Sequence, residues 1–212
     1  MDERTGQIPE KDPFYAGECQ LAITMSAYCA IATGDPVHDA YHRTEYGFPT
    51  RDDAVLFARL ALEIFQAGLS WDLIMRRRDG IVAAFDGFLP EIVAAYGDDQ
   101  RARLLADARI IRNAKKVDAI IANAEIICRQ REAHGGMAAW LDMHHPATLD
   151  EWVRLFRRTY RFTGPEITNE FLMGIGYLPG AHAQECPVGQ EIARRSPPWL
   201  VVSAPPRSTK EK

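Results

Sequence analysis

The sequence predicts an all-α protein on three observations. Apolar residues recur at helical spacing through most of the chain, helix-start and helix-stop residues bracket those stretches, and strand-type alternation is nearly absent. Asp52-Asp53 caps a first helix predicted over Ala54 to Ala67, which Gly68 ends. Ser70 caps a second from Trp71 through Phe85, and Leu89-Pro90 opens a third that reaches about Tyr96. Asp99 to Ala108 makes a fourth. A fifth runs from about Asn113 to Arg131, with Val117, Ile120, Ile121, Ala124, Ile127 and Cys128 on one face. Thr148-Leu149-Asp150-Glu151 begins a sixth that ends near Arg158, and a seventh runs from Glu166 to about Ile175. His144-His145, ahead of Pro146, reads as a solvated turn. Residues 1–24, with Pro9 and Pro13, and residues 196–212, Pro-rich and charged, read as poorly ordered extensions of a helical domain over 25–195.

The length of 212 residues suffices for one hydrophobic core, or for two small helical lobes sharing one. No apolar run approaches the ~18 residues of a bilayer span, so no membrane partner is expected. The opening Met1-Asp2-Glu3-Arg4 lacks a basic-then-apolar secretory layout, which makes the cytoplasm the expected compartment. A net charge of −4 argues against nucleic acid as a partner, although Arg76, Arg77 and Arg78 can supply a local basic face. The cysteines Cys19, Cys29, Cys128 and Cys186 are scattered, so a disulfide framework is not expected in a reducing compartment. Buried thiol and metal ligand are the two readings left.

Three features carry candidate chemistry. The segment Arg161-Phe162-Thr163-Gly164-Pro165-Glu166 reads as a turn between two helices. Gly164 there supplies either a positive φ or a close backbone approach, and the turn either presents a helix N-terminus to an anion or is a plain αα-hairpin. Glu63, inside an apolar stretch, either points into a pocket where Trp71 stacks on a bound ring, or pairs in water with Arg59 one turn away. Cys29, His42, His182 and Cys186 are a competent tetrahedral zinc set, or else two core thiols and two surface histidines. Spacing alone favours the plainer reading for all three.

Taken together, the segments resemble the DNA-3-methyladenine glycosylase I family of the helix-hairpin-helix glycosylase superfamily. The residues that carry the resemblance are, in order, Cys29 with Asp35-Pro36 and Tyr41-His42 with Glu45-Tyr46-Gly47 and Pro49. Then come Leu62-Glu63, Gln66-Ala67-Gly68-Leu69-Ser70-Trp71, and Ile110-Ile111-Arg112-Asn113 with Lys116. Phe162-Thr163-Gly164-Pro165 and His182-x-x-x-Cys186 complete the set, which spans about residues 27 to 188. The resemblance implies a helix-hairpin-helix glycosylase-like fold whose N- and C-terminal segments are joined by one structural zinc ion per chain, held by Cys29, His42, His182 and Cys186. It implies that Glu63 is the catalytic carboxylate and recognises an alkylated adenine alongside Tyr41, Tyr46 and Trp71. Gly68, Leu69, Thr163 and Gly164 are implied to contact double-stranded DNA, and the protein to act as a monomer. Met25 stands where the resembling proteins tend to start.

Several positions depart from the family pattern. Ile31, His38 and Tyr46 stand where Trp, Tyr and Trp are usual, and Arg109 replaces a Gly. Ile64 replaces a small residue beside Glu63 and is expected to narrow the pocket. Glu166 and Glu170 replace neutral residues behind the hairpin, where a carboxylate opposes a bound phosphate. Two functions follow: an active glycosylase, or a non-catalytic paralogue that keeps the zinc-bound fold and binds DNA weakly or another ligand.

Overall fold

The computed structural model describes residues 28–201, and every regular element among them is helical. In order these are α1 (28–32), α2 (Asp39–Thr44), α3 (Asp53–Gln66), α4 (Trp71–Ala84), α5 (Pro90–Ala94), α6 (Asp98–Ala106), α7 (Ala114–His134), α8 (Met137–His144), α9 (Leu149–Thr159), α10 (Pro165–Gly174) and α11 (Pro187–Arg194). Short 3-10 turns lie at Asp86–Phe88 and Pro198–Leu200.

Local signals set most of the helix ends. The Asp52 carboxylate accepts from the N–H groups of Ala54 and Val55, Ser70 accepts from Leu73, and Asn113 accepts from Lys116. Thr148 and Glu151 form a reciprocal capping box at the start of α9. Gly68, at φ +79°, stops α3 as expected. Four helices lie outside the sequence expectation: α1, α2, α8 and α11. None exceeds eight residues, too short for an apolar period to register. His144 therefore ends a helix rather than standing in a solvated turn, and His145 packs edge-on against the Tyr177 ring.

The start of α8 depends on a residue far away in sequence. Asp53, in the first turn of α3, accepts from the Met137 N–H at 2.8 Å and pairs with Arg131 of α7. A Cβ at Gly136, where φ is +130°, would lie 3.0 Å from that carboxylate, so both conformation and space require glycine.

Helix α3 is the centre of the fold. Leu56, Phe57, Leu60, Ala61, Leu62, Ile64 and Phe65 are all buried, and α3 touches α4, α5, α7, α8 and α10. Burying a Leu, Ile or Phe side chain contributes about 1.5–3 kcal/mol, so this helix anchors the main core, with Phe85, Phe88, Trp152, Phe156 and Phe171 around it.

Helices α9 and α10 form a hairpin joined by residues 160–164. Its turn is clamped by Asn123 of α7, fully buried, which donates to the Arg161 carbonyl at 3.1 Å and accepts from the Arg161 N–H at 2.7 Å. The positive φ in this turn falls on Phe162 (60°), not on Gly164 (−122°). Nothing lies within 4 Å of a Cβ built at Gly164, so the backbone there is open to close approach from outside.

The expected extension over 1–24 lies outside the described residues, as does the tail beyond Val201. The part of the tail that is described packs onto the domain: Pro197 is buried and the Trp199 N–H donates to the Gly176 carbonyl at 3.2 Å. No helix among the described residues is long and apolar enough to cross a membrane.

Candidate functional site

Two polar residues lie within the buried surface of α3, and they meet different fates. Arg59 donates to the carbonyls of Phe48 (2.9 Å) and Gly174 (3.1 Å), which ties α3 to α10 and to the loop after α2. Glu63, one turn on, is also buried, and its carboxyl has no hydrogen-bond partner among the described residues. The expectation that the two pair in water is therefore overturned, because both side chains are largely buried and Arg59 is spent on carbonyls. Burial holds the Glu63 pKa well above the usual carboxylate range, and the Glu170 carboxylate adds to the shift.

Glu63 faces a cluster of aromatic side chains separate from the main core. Tyr41 and Tyr46 stand 5.8 Å apart between ring centres, Tyr28 meets Tyr46 edge-on at 5.3 Å, and Trp71 lies 5.6 Å from Tyr41. Burial raises the pKa of all three phenols, with Glu63 a further cause at each, and pushes Tyr28 up to about 12. The Tyr41 ring is fixed from behind by Arg78, 5.5 Å from its centre, which also pairs with Glu45. Arg76 pairs with Asp72, and Arg77 donates to the carbonyls of Ala108 and Ile110. Each of the three arginines thus has a partner within the protein, Arg76 in an exposed ion pair and Arg77 on neutral carbonyls.

Sequence reasoning missed two members of this cluster. Tyr28 has no signal beyond its place next to Cys29. Glu170 was read as part of the outer hairpin, yet it turns inward, where the Tyr46 hydroxyl donates to it at 3.5 Å. Ile64 is corrected in the opposite direction. It points into the main core and cannot narrow the pocket, because successive residues of a helix face ~100° apart. Ile31 is exposed, and His38 is buried between Tyr28 and Asp72.

The last turn of α3 is held by Lys116. Its ammonium is buried and donates to the carbonyls of Phe65 (2.8 Å) and Ala67 (2.6 Å), partnering two of the free carbonyls at that end. The same ammonium lies 5.8 Å from the centre of the Phe162 ring. Lys116 thereby lies between the end of α3, next to the Gly68–Leu69 turn, and Phe162 of the hairpin turn. Glu166 is exposed in the first turn of α10.

Cys29, His42, His182 and Cys186 converge, with their ligand atoms all within 4.8 Å of one another, and could hold a metal ion. Cys186 Sγ lies 3.6 Å from both His42 Nε2 and His182 Nδ1, and Cys29 Sγ lies 3.7 Å from His182 Nδ1. His182 Nε2 donates to the Tyr46 carbonyl at 2.8 Å, which leaves Nδ1 free to accept and links this cluster to the aromatic one. Burial lowers the pKa of both histidines and so favours the neutral imidazole that metals require. Beside the cluster, a cavity of about 230 Å³ is lined by His182, Ile192 and Trp199 among others.

The fold and site define an all-helical protein with a buried carboxyl beside an aromatic cluster, which a Cys/His cluster adjoins. Comparison with known proteins gives the particular family. The sequence model of the family described as methyladenine glycosylase matches residues 31–189. DNA-3-methyladenine glycosylase 1 of Escherichia coli K12 is 43% identical over 178 residues, 74% of this chain and 94% of that protein. DNA-3-methyladenine glycosylase of Haemophilus influenzae is 31% identical over 77% of this chain and 98% of its own. A solved structure of 3-methyladenine DNA glycosylase I from Staphylococcus aureus superposes with a TM-score of 0.69 at 28% identity, covering 78% of this chain and 97% of that one. The chain belongs to the methyladenine glycosylase family.

The state of Glu63 can be measured through stability. A carboxyl whose pKa is raised by folding stabilises the native state below its ordinary range near ~4.3, and this contribution is lost as pH rises toward the raised value. Glu63→Gln is therefore expected to melt higher than wild type at neutral pH, by ~2–4 °C for each kcal/mol, with the gap closing as pH falls. A gap that stays constant from about pH 4 to 8 would show that the carboxyl titrates normally.

Proposed function

We propose that this protein is a monofunctional DNA glycosylase that hydrolyses the N-glycosidic bond of alkylated adenine, of the 3-methyladenine type, in double-stranded DNA. The observation that carries the reading is the Glu63 carboxyl, buried without a partner among aromatic rings. Methylation at N3 makes the nucleobase cationic, which weakens its bond to the sugar and makes it a good leaving group. The residues of the site then have to accept a flipped nucleotide, bind the cationic base and admit water to an oxocarbenium-like sugar.

The physical logic lies in the charge on Glu63. In the empty pocket burial favours the neutral acid, and a cationic base reverses that preference by supplying the opposite charge. Ordinary adenine brings no charge and leaves the cost of ionising Glu63 unmet. Tyr41, Tyr46 and Trp71 supply faces for the ring. Gly68, Leu69, Thr163 and Gly164 are read as backbone contacts to DNA around the lesion. Their common place beside Lys116 and the open space at Gly164 support this, with α9 and α10 as the two helices of a helix-hairpin-helix element. All these residues come from the unit predicted over 25–195. The non-catalytic reading loses part of its support, since Glu170 does not face the hairpin exterior.

The Cys/His cluster fits one structural zinc ion. Zinc–sulfur bonds near ~2.3 Å and zinc–nitrogen bonds near ~2.0–2.1 Å in a tetrahedron give S···N edges of about 3.5 Å. Three of the four S···N separations, Cys29–His182, Cys186–His42 and Cys186–His182, are 3.7, 3.6 and 3.6 Å. Four protein ligands leave no position for a catalytic water. The ion would supply cross-linking alone, joining α1 and α2 to the segment before α11.

Base release from methylated DNA tests the function. Wild type is expected to liberate free 3-methyladenine, and Glu63→Gln to do so about 10–100-fold more slowly, the worth of a hydrogen bond to a charged group. Equal rates would remove Glu63 from its role. Elemental analysis is expected to find about one zinc per chain in wild type and none in Cys186→Ser, and a zinc-free wild type after metal-replete expression would end the metal reading. Glu166→Thr is expected to tighten binding to undamaged DNA about two- to fivefold at low salt, the ordinary worth of a charge at a helix N-terminus, without changing single-turnover release. Unchanged affinity would place the phosphate away from this helix.

A further inference from the structure

Two of the sequence departures, Tyr46 and Glu170, are in contact. The Tyr46 hydroxyl donates to Glu170 Oε2 at 3.5 Å, and the Asn169 amide donates to Oε1 at 3.4 Å. Both contacts are long, so each oxygen keeps a lone pair for a further donor. Helix α10 packs on α3, the helix that bears Glu63, and Tyr46 adjoins both acids: its hydroxyl reaches Glu170, and burial together with both carboxylates raises its pKa.

Neither acid is neutralised by a basic side chain among the described residues. Arg59 is spent on the carbonyls of Phe48 and Gly174, Arg78 on Glu45, and Lys116 on the end of α3. Burial raises the pKa of Glu170, as it does that of Glu63, and both groups lack a compensating cation. A planar cation meets both needs. Its ring charge is attracted by aromatic faces, and its edge donors by carboxylate oxygens. A single carboxyl suffices to favour a cation over a neutral base, and a second one sharpens that preference.

We infer that Glu170 is a second carboxylate of the base pocket and a specificity-determining residue that tunes it toward purinium cations over neutral purines. The inference rests on the glycosylase reading above. It assigns Glu170 to binding and leaves the chemistry of bond cleavage with Glu63.

The test is competitive inhibition of 3-methyladenine release from methylated DNA by two small probes. One is 3,9-dimethyladeninium, a permanent cation, and the other is 9-methyladenine, a purine of similar shape that is neutral at assay pH. In wild type the cation is expected to inhibit more tightly. In Glu170→Gln and Glu170→Ser the ratio of the two inhibition constants is expected to shrink about tenfold, through weaker binding of the cation alone. A merely structural role weakens both probes together and keeps the ratio, which would overturn the inference, as would an unchanged ratio in Glu170→Gln. If wild type releases no base at all, the glycosylase reading fails and this inference with it. Release with an unchanged ratio removes only the role given to Glu170.

Discussion

A helix enclosed on most sides must have its terminal carbonyls satisfied from inside the protein, and α3 meets that demand through Lys116. The ammonium donates to the carbonyls of Phe65 and Ala67 and so fixes the point where the chain leaves the helix. Gly68 then turns at positive φ, and Ser70 starts α4 directly. Trp71 is thereby delivered to the pocket as the first residue of a new helix. The same ammonium meets Phe162, so the hairpin turn is placed relative to the end of α3 by one buried charge. A shift of that contact would move the loop, the hairpin and the pocket wall together.

The distribution of basic groups complements this arrangement. Arg59, Arg78 and Lys116 all lie near the pocket, and each is directed at a carbonyl or carboxylate outside it. Among the described residues, the acids and aromatic rings beside Glu63 are left without a basic side chain paired to either carboxyl. The interior thus tolerates an unpartnered carboxyl at a cost in stability, which fits the binding role proposed for Glu63.

The Cys/His cluster is coupled to the same pocket through Tyr46. Its carbonyl accepts from His182, its ring lies among Tyr28, Tyr41 and His182, and its hydroxyl reaches Glu170. One residue therefore joins the Cys/His cluster to Glu170. The cluster draws its residues from α1, α2 and the segment before α11.

Much of this was legible in the order of residues. The longer helices declare themselves through Asp52, Ser70, Asn113 and Thr148 at their starts and through apolar residues every three or four positions, because caps and faces are properties of neighbours in sequence. The Cys29/His42/His182/Cys186 set and the Glu63-to-Trp71 stretch were visible once read together as one ordered pattern. Other features were settled only by folding. Asp53 starts α8 from 84 residues away in sequence. Arg59 turns from Glu63 toward carbonyls on other elements, Arg76 to Arg78 each take a partner within the protein, and Glu170 turns inward from a hairpin expected to face DNA. In each case the sequence fixes the chemical group but not its surroundings. Which partner a charged side chain meets, and whether water reaches it, depends on segments brought together from distant parts of the chain.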